Sequence, residues 1–468
     1  MKKNLKRHKN KFHFEISERK LLLRIFDVAA VFILLKLLSF FVEFKYLDFD
    51  TINVQWSLLL TFYILLFYTL FEMYDLRVAA NTEATFKNGS IGALMIVTAF
   101  LFTPYISPIL PNRRIELLYF FGAVYFSLLG WRLFYIQFFA SSRFHKHILV
   151  IGNAKEFELI QAAIKNFNPD NVIKGFINTK KEISTPEMSP TVLVKSEELE
   201  DFVQLHRVSE IIMAVNSPKF INTEIYDSLL VLLEQGVVIR EYTQVYEEIT
   251  HRVPVQHVGK DFYKYFPFSR SNQNQLYLFF HTLLDWTLAI LGLVVFLFLL
   301  PFIWIGNMIA NRGKLFYSQQ RVGKNGAVFE IIKLRTMVQN AETNGPVWAQ
   351  QNDQRITRFG KFLRRSRIDE LPQLINVMKG EMCFIGPRPE RPEFIKQLSE
   401  KIPFYETRHV IKPGITGWAQ VKSKYGANEE DMLEKLQYDL FYIKHRSLFL
   451  DLNILLKTLT TMIFFRGQ

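Results

Sequence analysis

Four long apolar runs crowd the first third of the chain, at roughly 21–42, 54–74, 89–110 and 114–139. A helix needs about 20 such residues to cross the hydrocarbon core of a bilayer. Inside a membrane every backbone polar group must be bonded within its own element, so each run is confined to a helix. The rival, four buried helices of a soluble protein, needs an apolar succession that is rare in soluble folds. The reading is a four-helix transmembrane domain over residues 1–143. The first run is the weakest of the four, because it holds Asp27 and Lys36.

Charge orients these runs. Lys2, Lys3, Lys6, Arg7, Lys9, Lys11, Arg19, Lys20 and Arg24 precede or open the first one. No small-residue cleavage site follows, which favours a retained anchor over a signal peptide. The apolar runs also argue against a nuclear-type basic tail. Arg132, Arg143, Lys146 and His147 come at the end of the fourth run, while the first connecting loop, EFKYLDFD, is acidic. An even number of spans with basic ends places both ends in the cytoplasm. Arg113 and Arg114 pull mildly the other way, and Trp56 and Trp131 are candidate interfacial anchors. The net charge of +13 favours anionic partners. A single cysteine, Cys383, excludes an intramolecular disulfide and a multi-cysteine zinc site.

From His147 the pattern changes. HILVIGN reads as a buried strand and EFELIQAAIKNF as a helix; VIKGFIN, SEIIMAV and GVVIREY are further strands, with INTEIYDSLLVLLEQ helical between the last two. Alternating strands and helices imply a parallel sheet, here a Rossmann-like α/β module over 144–265. Its first turn, IGNAKEF, has only Gly152 where a dinucleotide fingerprint needs several glycines. A structural or regulatory module fits better than a nucleotide site.

Residues 283–306 form one more apolar run, interrupted by Pro301. A proline inside a helix removes a hydrogen bond and kinks the chain. The run either crosses the membrane with a kink or enters, turns at Pro301 and returns; the residues leave both open. Beyond it, Asn325–Gly326 between apolar stretches signals a hairpin. Then Arg355, Arg358, Lys361, Arg364, Arg365 and Arg367 interleave with Phe359, Phe362, Leu363 and Ile368, a basic amphipathic helix suited to a membrane surface. Basic clusters are also the footprint of nucleic-acid binders, but apolar spans speak against a nucleic-acid partner.

That helix runs into adjacent carboxylates, in RRSRIDELPQL. Concentrated positive charge should depress the pKa of Asp369 and keep it ionised. An ionised Asp can act as a nucleophile toward phosphorus. Asp369 and Glu370 together could hold Mg²⁺, which takes carboxylate and phosphate oxygens. The arginines, Arg358 and Arg364 among them, can grip phosphate bidentately. Pro372 should stop or bend the helix just after the pair. These are parts for phosphoryl-type transfer, although an Asp–Glu pair on a surface helix is usually inert.

Residues 276–468 resemble the bacterial sugar transferase family, the monotopic phosphoglycosyl transferases. The stretches that carry the resemblance are QQRVGKNGAVFEIIKLRTM, RITRFGKFLRRSRIDELPQL, GEMCFIGPRPERPEF, KPGITGWAQV and EKLQYDLFYIKHRSLFLDLNILLKT. With the apolar runs and the α/β module, the chain looks like the large form of that family, which initiates exopolysaccharide or O-antigen synthesis. The resemblance implies an α/β monotopic catalytic domain with a re-entrant membrane helix at 283–306, broken at Pro301. It implies transfer of sugar-1-phosphate from a UDP-sugar to undecaprenyl phosphate, release of UMP, and Mg²⁺ as cofactor. Asp369 would be the nucleophile and Glu370 its dyad partner. Pro387, Arg388 and Pro389 match a motif near the active site, with Arg388 on phosphate; Lys333 and Arg335 are expected nearby. The enzyme would sit in the bacterial inner membrane with its catalytic domain facing the cytoplasm. A homodimer through the middle domain is left open.

Departures from the family pattern are few. Pro301 follows Leu300 where some members have serine, Cys383 replaces a common serine, and VKSKYG replaces VNGRYG. Trp418 and Tyr425 suit either ring stacking or core packing, and His409 reads as structural. Two rivals remain at this level. One is a UDP-releasing glycosyltransferase, although the only D-x-D, Asp48–Phe49–Asp50, lies between apolar runs. The other is a non-catalytic scaffold, a role that would not call for Asp369 or Arg388. No residue names the sugar.

Overall fold

The computed structural model describes residues 16–41, 46, 54–103, 105–138, 146–167, 171–179, 191–215, 222–255, 274–311, 313–338, 353–423 and 428–463. The N-terminal basic residues up to Lys11, Arg143, Asp48, Asp50 and Tyr425 lie outside them. The chain divides into two compact units, Met1–Thr250 and His251–Gln468. The division falls earlier than residue 265, because Val253 and Val255 are apolar and bury fully in the core of the second unit.

The first unit opens with helices α1 (Ile16–Phe41), α2 (Val54–Leu70), α3 (Leu76–Ala80), α4 (Thr82–Leu101) and α5 (Ile115–Phe138). α5 packs between α1 and α4, and α2 packs on α4. α4 starts well before residue 89, at an Asn81 cap whose side chain accepts the Ala84 N–H. It stops at Leu101, so the expected run to 110 is not helical; Pro108 and Pro111 have no N–H to continue it. By length and composition, α4 and α5 can cross a membrane, whereas α2 is shorter and α1 is not among the candidates. The charges of α1 explain this, and Asp27 has its partner on another helix. Asp27 Oδ2 lies 2.6 Å from Arg132 Nη2 on α5, with both side chains fully buried, and Arg132 Nη1 donates to the Met73 carbonyl at 2.9 Å. Arg132 is therefore an internal counter-ion, not part of a basic flank. The two tryptophans also pack inward: Trp56 is buried against Phe32, and Trp131 stacks on Phe26.

The α/β part places strands β1 (Lys146–Gly152), β2 (Asn171–Asn178), β3 (Val192–Leu193), β4 (Glu210–Ala214) and β5 (Val238–Glu241) in one parallel sheet ordered β3-β2-β1-β4-β5. Alternate residues of β1 feed two cores. Ile148 and Val150 pack with α6 (Ala154–Phe167) and α9 (Tyr242–Thr250); Leu149 and Ile151 pack with α7 (Leu199–Leu205) and α8 (Thr223–Glu234). A strand buried on both faces reads as a continuous apolar run, as ILVI within HILVIGN does. A Cβ on Gly152 would fall 2.4 Å from the Ala214 carbonyl oxygen, so this glycine serves the approach of β1 to β4.

The first helix of the second unit among the described residues is α10 (Gln275–Ala310), which is also long and apolar enough to cross a membrane. The chain does not reverse at Pro301: α10 is one helix of 36 residues with that proline inside it. Pro301 only withholds one N–H from the carbonyl four residues earlier. One face of α10 packs on the unit at both ends and between. Tyr277 bonds Asp451, a methyl at Gly292 would strike Leu374, and Asn311 bonds the Arg335 carbonyl. The opposite face exposes Phe279, Leu283, Leu291, Val294, Phe298 and Ile309.

After α10, β6 (Phe316–Val322) and β7 (Val328–Leu334) form the expected antiparallel hairpin, with Asn325 and Gly326 at positive φ in the turn. The basic helix α11 (Arg358–Arg365) is capped by Thr357, whose side chain accepts the Gly360 N–H at 2.9 Å. Next come a 3-10 turn (Ile368–Gln373), α12 (Leu374–Met378), β8 (Cys383–Ile385), α13 (Pro392–Lys401), β9 (Gly414–Thr416), α14 (Trp418–Lys422), α15 (Glu429–His445) and α16 (Leu448–Ile463). β8 and β9 pair in parallel.

Candidate active site

Asp369 and Glu370 do not end the basic helix. α11 stops before them, because Arg367 takes a left-handed conformation with φ of 58°. Pro372 lies inside the following 3-10 turn rather than terminating α11. This separate turn carries both carboxylates inward, to 8% and 7% exposure. The Glu370 N–H bonds the Arg367 carbonyl, and Arg367 Nη1 lies 3.4 Å from Glu370 Oε2, so Glu370 holds the strained residue that presents it.

The cations come from three elements. Arg388 Nη2 donates to Glu370 Oε1 at 3.0 Å. Lys333 on β7 interacts electrostatically with both carboxylates. Arg364 on α11 donates to Thr336 Oγ1 at 2.9 Å and adds to the positive field on Asp369. Pro387, Arg388 and Pro389 are held by their carbonyls: Pro387 accepts from Gly414 N at 2.9 Å, Arg388 from Arg408 Nη2 at 3.0 Å, and Pro389 from Arg321 Nη1 at 3.1 Å. Arg408 is buried and also bonds Asp439 at 2.7 Å.

Two of the expected residues are not brought to the pair. Arg335 donates Nε to the Lys314 carbonyl at 3.0 Å, which braces the base of the hairpin against the end of α10. Arg358 sits exposed on the first turn of α11, with no bond to either carboxylate among the described residues. Trp418 is core, since it is buried and its Nε1–H donates to the His251 carbonyl at 3.3 Å. Cys383 is buried among backbone carbonyls and serves packing. Burial and the adjacent Arg408 hold His409 down at about 4, so it stays neutral in a structural place.

The two carboxylates differ sharply in acidity. Burial and Glu370 lift Asp369 to about 6, against Lys333, Arg364 and Arg388. The sequence-based expectation had the opposite sign; burial and the adjacent anion outweigh the arginines. Burial also acts upward on Glu370, but Arg388, Lys333 and Arg367 overcome it and bring Glu370 to about 2. Lys333 is pushed down to about 7 by burial and by Arg388 and Arg321. Neighbouring groups with separated pKa values mark divided roles. Glu370 is a fixed anion that anchors Arg388 and is too weak a base to accept a proton near neutrality. Asp369 is the carboxylate left for chemistry.

Both Glu370 oxygens face guanidinium groups, so it makes a poor metal ligand. Asp369 fits Mg²⁺ when a substrate's phosphates supply further oxygens, the usual arrangement for that ion. Among the described residues no cluster of three or more His, Cys, Asp or Glu could hold a metal by itself.

Sequence reasoning did not single out Arg321, Arg408 or Asp439. Arg321 shares a β6 face with Gln319 and Tyr317, an i, i+2 alternation visible in YSQQR. Arg408 and Asp439 stand too far apart in sequence for any local signal.

The profile of the bacterial sugar transferase family matches residues 276–465, which hold all of these site residues. The UDP-N-acetylgalactosamine-undecaprenyl-phosphate N-acetylgalactosaminephosphotransferase of Aeromonas hydrophila is 39% identical over 220 residues, 47% of this chain and 51% of that protein. The UDP-glucose:undecaprenyl-phosphate glucose-1-phosphate transferase of Xanthomonas campestris pv. campestris is 41% identical over 177 residues, 37% of each. The chain thus spans about half or less of these two relatives. An identically named protein of Caulobacter vibrioides is 39% identical over 184 residues, 38% of this chain and 68% of that protein. With the profile match and two thirds of the Caulobacter protein covered, the chain belongs to the bacterial sugar transferase family.

Proposed function

We propose that the protein transfers sugar-1-phosphate from a UDP-sugar to undecaprenyl phosphate in two displacements. Asp369 attacks the phosphorus that bears the sugar; the bond to UMP breaks, and UMP leaves with the bonding electrons. An oxygen of undecaprenyl phosphate then attacks the aspartyl-phosphosugar, forms the lipid diphosphosugar and returns Asp369 as carboxylate. Lys333, Arg364 and Arg388 meet the phosphate charge, while Glu370 holds Arg388 in place. Mg²⁺ held by Asp369 and substrate oxygens would neutralise developing charge on the diphosphate. The observation that carries this reading is the split pair, one carboxylate locked by arginines and its neighbour titrating near neutrality among cations. The names of the relatives support the substrate classes.

The same reading places the catalytic unit on the cytoplasmic face of a bacterial inner membrane, as a first step of surface-polysaccharide synthesis. α10 supports a monotopic placement. A helix that carried its ends to opposite sides would have to strip either Tyr277 from Asp451 or Asn311 from Arg335, whereas immersion of the exposed apolar face strips neither. The helices α1, α2, α4 and α5 would form the four-helix membrane domain, and the parallel sheet a Rossmann-like module.

The test is nucleotide release. Purified protein with undecaprenyl phosphate and Mg²⁺ is offered a panel of UDP-sugars, and UMP and UDP are assayed separately. Lipid-dependent UMP that disappears in Asp369→Asn is the expected result. UDP as product, or full turnover in Asp369→Asn, refutes the proposal.

A further inference from the structure

The packed face of α10 is polar over its first three turns, and the proposed chemistry uses none of these groups. Tyr277, His281 and Asp285 recur every four residues, and all three are buried. Tyr277 and Tyr442 donate their hydroxyls to the two oxygens of Asp451, each at 2.8 Å. The Arg446 guanidinium sits 5.1 Å from the Tyr277 ring centroid. His281 Nδ1 lies 3.2 Å from Asp285 Oδ2. The other oxygen, Asp285 Oδ1, accepts the backbone N–H of Phe384 at 2.7 Å.

Phe384 is the middle residue of β8. Cys383 and Gly386 give their N–H groups to the Pro413 and Thr416 carbonyls on the β9 side. The Phe384 N–H points the other way, to Asp285. Four residues on, Arg388 bonds Glu370. A backbone N–H bonded to a carboxylate is a strong, charge-assisted contact, and leaving a buried N–H unsatisfied is costly. α10 also backs the other side of the catalytic turn, where a Cβ at Gly292 would come within 2.6 Å of Leu374 Cδ1.

From this geometry we infer that Asp285 is a positioning residue for the transfer reaction: it fixes β8, and through β8 sets Arg388 against Glu370, with His281 orienting its carboxylate. The inference rests on the phosphotransfer reading above. It makes the apolar helix part of the active-site scaffold as well as an anchor.

Full-length Asp285→Ala and Asp285→Asn are compared with the unaltered protein by UMP release and by hydrogen exchange of peptides covering residues 383–390. Asp285→Ala is expected to lower kcat about tenfold to a hundredfold, the scale of a small misplacement of a catalytic group. The KM for the UDP-sugar should stay within about threefold, and exchange over 383–390 should speed up. Asp285→Asn keeps an oxygen for Phe384 and should recover most of both effects. In an Arg388→Lys background the Asp285→Ala loss should shrink, because both residues act through one contact. Unchanged exchange or kcat in Asp285→Ala, or a fully additive loss with Arg388→Lys, would overturn the inference. If Asp285→Ala does not accumulate, Asp285→Ser, whose hydroxyl falls short of Phe384, takes its place with the same deciding results. Unaltered protein that releases no UMP from any UDP-sugar would instead count against the phosphotransfer reading, and the exchange comparison would still decide whether Asp285 holds β8.

Discussion

Replacing Lys333 by arginine tests the electrostatics of the site most directly. Lys333 is a half-buried cation brought down to about 7, and Asp369 is a buried acid brought up to about 6. On the proposed two-displacement reading, Asp369 must be deprotonated in the free enzyme to attack phosphorus, and Lys333 must be protonated to meet phosphate. kcat/KM should therefore rise with pH through about 6 and fall above about 7. Past the limb the protonated fraction of Lys333 drops about tenfold per pH unit, so at about pH 9 roughly one hundredth remains. A guanidinium stays charged over this whole range. Lys333→Arg should keep the acidic limb and lose the alkaline one, whatever its absolute rate. A bound diphosphate favours the charged lysine, so the alkaline limb of kcat should lie at higher pH than that of kcat/KM. The assay is initial-rate UMP release at subsaturating and saturating UDP-sugar, in constant ionic strength, from about pH 5 to about pH 9.5. An alkaline limb in Lys333→Arg at the same pH as in the unaltered protein would refute the assignment to Lys333. A profile without either limb would refute the reading of both groups.

Three further results are expected. Asp369 is more acidic in the unfolded chain than in the fold, so its contribution to stability is present below about 3.8 and is lost as pH rises through about 6. Asp369→Asn should then abolish turnover yet raise the thermal midpoint above about pH 6, with the gain shrinking on acidification; a lower midpoint at about pH 8 would contradict this. Arg132→Leu leaves Asp27 buried without its counter-ion and should cost about 3–5 kcal/mol, whereas adding Asp27→Leu should recover most of it; thermal unfolding in detergent separates the two. Gly360→Ala would put a Cβ 2.0 Å from the Thr336 carbonyl oxygen, forcing α11 off the end of β7. It should cost about 1–3 kcal/mol and lower activity through Arg364, as read by unfolding and UMP release; an unchanged rate would show that α11 tolerates the shift.

Local chemistry made much of this architecture readable in advance. ILVI within HILVIGN is apolar without a break because β1 is covered on both faces, and the Asn325–Gly326 hairpin needs only its own turn residues. β3 escaped notice because it is two exposed residues long and exists only through its pairing with β2. The helical region shows a different limit. Asp27 looked like a flaw in an apolar run and Arg132 like a flanking charge, yet they answer each other from helices that are far apart in sequence. Hydropathy counts each charge as a cost and carries no information about partners, so it misjudges both residues of such a pair at once.

The carboxylate pair was misread for a related reason. Adjacent arginines in RRSRIDEL suggested that charge alone would keep Asp369 acidic. What separates the two acids is direction, and direction is set by Arg367. With Arg367 left-handed, the chain turns after α11, so that Glu370 meets both Arg388, from the loop after β8, and Arg367 itself. Those guanidinium groups bond Glu370, and at Asp369 burial and the anion beside it outweigh the pull of Lys333, Arg364 and Arg388. A helix continued through the pair would have set the two carboxylates about 100° apart on one exposed surface, with equal access to water. The turn makes them unequal, and the proposed division into a nucleophile and a fixed anion needs that inequality. Arg367 therefore does more for the chemistry through its backbone conformation than through its charge.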